Sequence, residues 1–133
     1  MKTTSYEISK KLAEVGLSEQ LGFCDYYYNK YKQLKIIGQE SYTDDEPEET
    51  MVDCFAYDLE TILEALPKQI ERGEGRSPTS SFIFTKAGMG YAQKPQFEFR
   101  EFLVCYENES LADTAARLLI LLHNKGLINF KKD

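Results

Sequence analysis

The sequence predicts an α+β fold: a small antiparallel sheet of about four strands with three helices packed mainly on one face, in the order α-β(β)-α-β-β-α. Three observations carry this expectation. Apolar residues recur at helical spacing in three separate stretches, each opened by a Ser, Thr or Asp suited to an N-cap. Between them, aromatic and β-branched residues crowd into short runs of the kind that half-buried strands favour. Strict βαβ alternation is absent, which makes a doubly wound parallel sheet the poorer choice.

The first helix starts at a capping-box pattern, Thr4-Ser5-Tyr6-Glu7. Ile8, Leu12 and Val15 follow on one narrow face, and Gly16-Leu17 supplies a stop. So short a helix must dock on something. From Phe23 to Ile37 the period changes. Tyr26, Tyr27, Tyr28 and Tyr31 give high β-propensity and Leu34, Ile36 and Ile37 close the segment, as one long strand or as a hairpin turning near Asn29-Lys30. In a strand Tyr26 and Tyr28 face one side, Tyr27 and Tyr31 the other. Gly38 to Thr50 reads as an acidic loop, because Glu40, Asp44, Asp45, Glu46, Glu48 and Glu49 repel one another around Pro47.

Met51 to Tyr57 suits a short strand, and Asp58 then caps a second helix with Tyr57 and Ile62 placed for a hydrophobic staple. Leu59, Ile62, Leu63 and Leu66 form its inner face; Pro67 ends it, with Ile70 anchoring the last turn. Arg72 to Ser81 is a mobile connection rich in Gly and Pro. Ser81 to Ala87 alternates as a strand, with Phe82 and Phe84 on one side and Ile83 on the other. Gly88-Met89-Gly90 breaks that run, and Tyr91 opens another. Phe97 and Phe99 share one parity, Phe102, Val104 and Tyr106 the other. Keeping all five on the core face requires a β-bulge near Arg100-Glu101. The last helix is the strongest: Ser110 as N-cap, Asp113 completing an approximate capping box, and Leu111, Ala115, Leu118, Leu119 and Leu122 on one wide face. Gly126-Leu127 closes it. This final strand and helix, Phe97 to Ile128, read as the platform on which the other helices dock.

At 133 residues the chain is expected to form one domain, with roughly two-thirds of its unfolded surface buried on folding. A formal net charge of −6 works against broad binding to nucleic-acid phosphates or anionic membranes. Lys30, Lys32 and Lys35 come nearest to a basic patch. Three widely spaced cysteines, Cys24, Cys54 and Cys105, fit neither a disulfide framework nor a zinc knuckle. Met1 leads into a helix with no apolar leader segment, so a cytoplasmic protein with reduced thiols is expected.

The chemistry on offer is thin. The one histidine, His123, falls in the last turn of the long helix, where the helix dipole favours it. Cys105 with His123, or Cys24 alone, would be the elements of a thiol enzyme, but a cysteine in an apolar strand is more often a small buried side chain. The acidic loop lacks the alternation and central glycine of a calcium loop, and the Gly73 and Gly88 clusters fit no phosphate-binding motif. No catalytic residue, cofactor or metal ligand is therefore assigned. The expected partner surface is Tyr26, Tyr27, Tyr28 and Tyr31 together with Asp44, Asp45, Glu46, Glu48 and Glu49.

Three segments together, Glu7–Leu17 (EISKKLAEVGL), Tyr57–Pro67 (YDLETILEALP) and Glu109–Leu127 (ESLADTAARLLILLHNKGL), occur in one order. The chain thereby resembles a group of small uncharacterised bacterial proteins found in phages, prophages and mobile elements. That group carries the patterns LAxxLxxxGL, LxELLExLP and SLADAxAxLLIxLxxxGLI. The matched positions are mostly core and capping residues. The resemblance implies a phage or mobile-element setting and carries over no catalytic residue. The expectation is a non-enzymatic accessory protein with an unidentified protein partner, or a homodimer. The alternative is a nucleic-acid-linked regulator, binding through Lys30, Lys32 and Lys35 or mimicking DNA with its acidic surface.

Overall fold

The computed structural model describes residues 3–22, 24–37, 51–71, 79–92, 100–106 and 109–128. Its first helix, α1 (Tyr6–Glu14), is capped by Ser5, whose hydroxyl accepts the Ile8 N–H at 3.4 Å. The cap lies one residue later than expected because Thr4 is engaged elsewhere. Thr4 N–H donates to the Tyr57 carbonyl at 2.8 Å, and Thr4 Oγ1 accepts the Tyr57 N–H at 3.1 Å and pairs with Ser9 Oγ at 2.7 Å. Ile8 and Leu12 are buried as expected. The helix ends in a Schellman motif: Gly16 adopts φ 82°, its N–H donates to Ala13, and the Leu17 N–H reaches back to Leu12. A single turn, α2 (Ser18–Leu21), follows; it has no counterpart in the sequence-based expectation.

β1 (Tyr26–Tyr28) and β2 (Leu34–Ile36) form the hairpin, turning at Asn29. Asn29 is buried, and its Oδ1 accepts the N–H groups of Tyr31 and Gln33 at 2.9 and 3.0 Å. β3 (Cys54–Ala56) pairs with the other edge of β1, giving an antiparallel sheet in the order β2-β1-β3. α3 (Leu59–Ala65) is capped by Asp58, which accepts the Thr61 N–H at 2.9 Å. Tyr57 and Ile62 are both buried in the main core, where the staple places them.

β4 (Gln69–Glu71), β5 (Thr79–Phe84), β6 (Gly88–Ala92) and β7 (Arg100–Cys105) form a second antiparallel sheet, each strand beside the next in sequence. Two expectations change here. Ile70 belongs to β4, not to the last turn of α3, because Leu66 has already left helical geometry ahead of Pro67. Gly88-Met89-Gly90 opens β6 where a break was expected, and the break falls at 85–87 instead. A Cβ on Gly88 would stand 2.1 Å from the Val104 carbonyl oxygen, so the glycine is what lets β7 approach. The bulge is real and slightly displaced. Met89 pairs with Val104 but Tyr91 with Glu101, which leaves the extra residue on β7 between Glu101 and Val104. Phe97 and Phe99 lie outside the described residues.

α4 (Leu111–Asn124) begins at Ser110, whose hydroxyl accepts the Asp113 N–H at 3.1 Å, and ends in a second Schellman motif at Gly126 and Leu127. It touches α1, α3, β6 and β7, and Ala115, Leu118, Leu119 and Leu122 are fully buried. Leu111 is exposed, contrary to expectation, while Ala112, Asp113 and Thr114 of the same first turn are buried. Met89, Tyr91 and Val104 share the β-sheet face that joins these leucines in the core. The described residues thus hold two small antiparallel sheets and four helices, in place of one sheet of about four strands and three helices.

Candidate partner-binding surface

The tyrosine run occupies the middle strand of the three-stranded sheet, and its two central rings are interior. The Tyr28 ring meets Tyr6 of α1 edge-on at 5.6 Å, and its hydroxyl donates to the Thr4 carbonyl at 2.9 Å. Tyr27 is buried on the opposite face. Neither can be part of an open partner surface. Tyr26 is half-buried, and Tyr31, at the hairpin tip, is 47% exposed with Lys30 Nζ 5.2 Å from its ring centroid. Asp44, Asp45, Glu46, Glu48 and Glu49 lie outside the described residues.

The more telling element is β2. Ile37 N–H donates to Asp25 and Asn29 N–H to Gln33, so the pairs 25↔37, 27↔35 and 29↔33 are the hydrogen-bonded ones. Leu34 and Ile36 therefore turn their N–H and C=O groups away from β1, toward an edge that no described strand occupies. Register places their side chains on the face of Tyr26, Tyr28, Cys54 and Ala56. α1 covers that face over β3 and Tyr28 but stops short of β2, which leaves Leu34 39% and Ile36 41% exposed. Ile37 beside them is likewise exposed. In the sequence these residues stand out only as the close of the tyrosine segment. The apolar-Lys-apolar alternation of Leu34-Lys35-Ile36 was the available signal, but nothing local says which edge of the strand is open.

The same hairpin gathers the three lysines. Lys35 lies on the opposite face, in register with Tyr27 and Phe55, and Lys32 Nζ stands 5.2 Å from the Tyr6 ring. Next to it Tyr6 donates to Asp53 at 2.6 Å, and Lys10 donates to the same carboxylate at 3.0 Å. These two donors hold the Asp53 carboxyl below the usual carboxylate range, the tyrosine being the larger influence. On an exposed surface such a pair contributes little stability; it fixes α1 against the start of β3.

Two of the three thiols are buried. Cys24 is buried and donates to the Tyr26 carbonyl at 3.5 Å, and burial pushes its thiol up. Burial pushes Cys54 up to about 11, so both are protonated and poor nucleophiles at neutral pH. Cys105 is exposed at the end of β7, and no hydrogen bond joins it to His123 among the described residues. No three His, Cys, Asp or Glu side chains gather to hold a metal among the described residues. A groove of ≈ 510 Å³ runs along α3, lined by Leu59, Glu60, Leu63, Glu64, Leu66 and Lys68. No helix among the described residues is long and apolar enough to cross a membrane. No protein-family model, curated protein or solved structure matches the chain.

Proposed function

We propose that this is a non-enzymatic accessory protein that acts by binding another protein along the edge of β2 that no described strand occupies, in the phage or mobile-element setting its sequence resemblance implies. One observation carries the reading: Leu34 and Ile36 supply both the outward-directed backbone groups and the exposed apolar side chains of that edge. An open strand edge with apolar side chains is the template used in β-strand addition, where main-chain hydrogen bonds give affinity and side chains give selectivity. Affinity purification from the source cells tests it, comparing the wild type with a Leu34→Lys/Ile36→Lys variant. A specific protein retained by the wild type and lost by the variant is the expected result. Recovery of the same proteins in equal amounts, or of none, overturns the reading.

The alternative, nucleic-acid-linked regulation, draws on the same hairpin through Lys30, Lys32 and Lys35, but a formal net charge of −6 opposes it. A gel shift at low salt showing no retardation removes direct binding. The DNA-mimicry version depends on carboxylates in the 38–50 segment.

A further inference from the structure

We infer that the partner segment is an extended strand alternating apolar and acidic residues, docked on β2 with a carboxylate beside Lys35. This rests on the edge-binding reading above and adds to it the chemistry of the occupant. The two outward backbone pairs at Leu34 and Ile36 fix where an incoming strand bonds. Side chains of that strand alternate between faces whatever its direction. Those on the face of Leu34 and Ile36 meet exposed aliphatic surface beside Tyr26 and the margin of α1, and must be apolar. The residue between them falls on the face of Lys35. Lys35 is a cation at this edge on a chain of formal net charge −6, and the charge that complements it is acidic.

A second copy of this chain is the poorer occupant for the same reason. Pairing two β2 strands over their full length, residue 34 of one against 36 of the other, sets Lys35 directly opposite the second copy's Lys35. Like charges so placed are destabilising.

The test uses the intact protein and two labelled synthetic peptides, one alternating Val with Glu and one alternating Val with Lys, followed by fluorescence anisotropy. The Val–Glu peptide is expected to bind, with affinity falling about tenfold or more in Lys35→Glu and that variant gaining the Val–Lys peptide. Lys35→Gln, which keeps the stem without the charge, is expected to lie between, and far-UV circular dichroism establishes that each variant is folded. Equal binding of both peptides, abolished by Leu34→Lys/Ile36→Lys, overturns the acidic partner while leaving the edge intact. Binding of the acidic peptide that the Leu34→Lys/Ile36→Lys variant retains overturns the edge itself. Binding of neither peptide, or a doubled mass in light scattering at micromolar concentration that the same variant abolishes, overturns the inference in favour of another partner or a second copy.

Discussion

Asp113 sits where the sequence predicts half of a capping box for its own helix, yet its carboxylate serves another. Asp113 Oδ1 accepts the N–H of Ser5 at 2.6 Å, across nearly the whole length of the chain. The buried carboxylate therefore lies at the N-terminal ends of both α1 and α4, where two helix dipoles favour negative charge. Close by, Arg117 donates to Glu109 and, at 2.7 Å, to the Cys105 carbonyl, which ties α4 to the end of β7. Asp113→Ala should leave the Ser5 N–H unpaired and cost about 1–3 kcal/mol. Asp113→Asn keeps an acceptor oxygen and should cost less. Urea midpoints at unchanged slope measure both; an Ala variant as stable as the wild type would show that the contact contributes nothing.

Among the elements, two glycines do different work. Gly126 holds φ 70° at the end of α4 with nothing near its missing Cβ, so Gly126→Ala should cost only the backbone term, about 1–2 kcal/mol. Gly88 has an ordinary φ but lies against the Val104 carbonyl, and a methyl group there must push β6 and β7 apart. Gly88→Ala should therefore cost more than Gly126→Ala, about 3 kcal/mol or above once the ladder shifts, and it should also lift amide-exchange protection in β7 selectively. Thermal unfolding of the pair ranks them; the reverse order would mean that β7 can move aside freely. The helix ends were legible in the sequence because Gly-Leu is a local code. The role of Gly88 was not, because the backbone it makes room for is sixteen residues further along the chain.

For the whole molecule the decisive helix is α4. Leu118 has no exposed surface, and its helix contacts α1, α3, β6 and β7 at once. Leu118→Asp would bury a charge without a partner in the core that joins all of these elements. It should abolish the cooperative unfolding transition, not fray one end. Leu111→Asp, on the same helix at 43% exposure, should change stability by no more than about 0.5 kcal/mol. Circular dichroism during denaturation separates the outcomes; a Leu118→Asp protein with unchanged thermal stability would mean that the core lies elsewhere.

The sequence by itself determined the α+β class, the caps at Asp58 and Ser110, both Gly-Leu helix ends, the tyrosine strand and the displaced residue in the last strand. Each of these follows from interactions spanning a few positions: period, capping chemistry, turn chemistry. Only the tertiary structure decided that the strands divide into two sheets, that Thr4 and Asp113 serve distant segments, and that Tyr27 and Tyr28 are interior. It alone turned the backbone groups of Leu34 and Ile36 toward an edge that no described strand occupies. Those outcomes depend on which strand lies beside which, and pairing between segments far apart in the chain leaves no local trace in either of them.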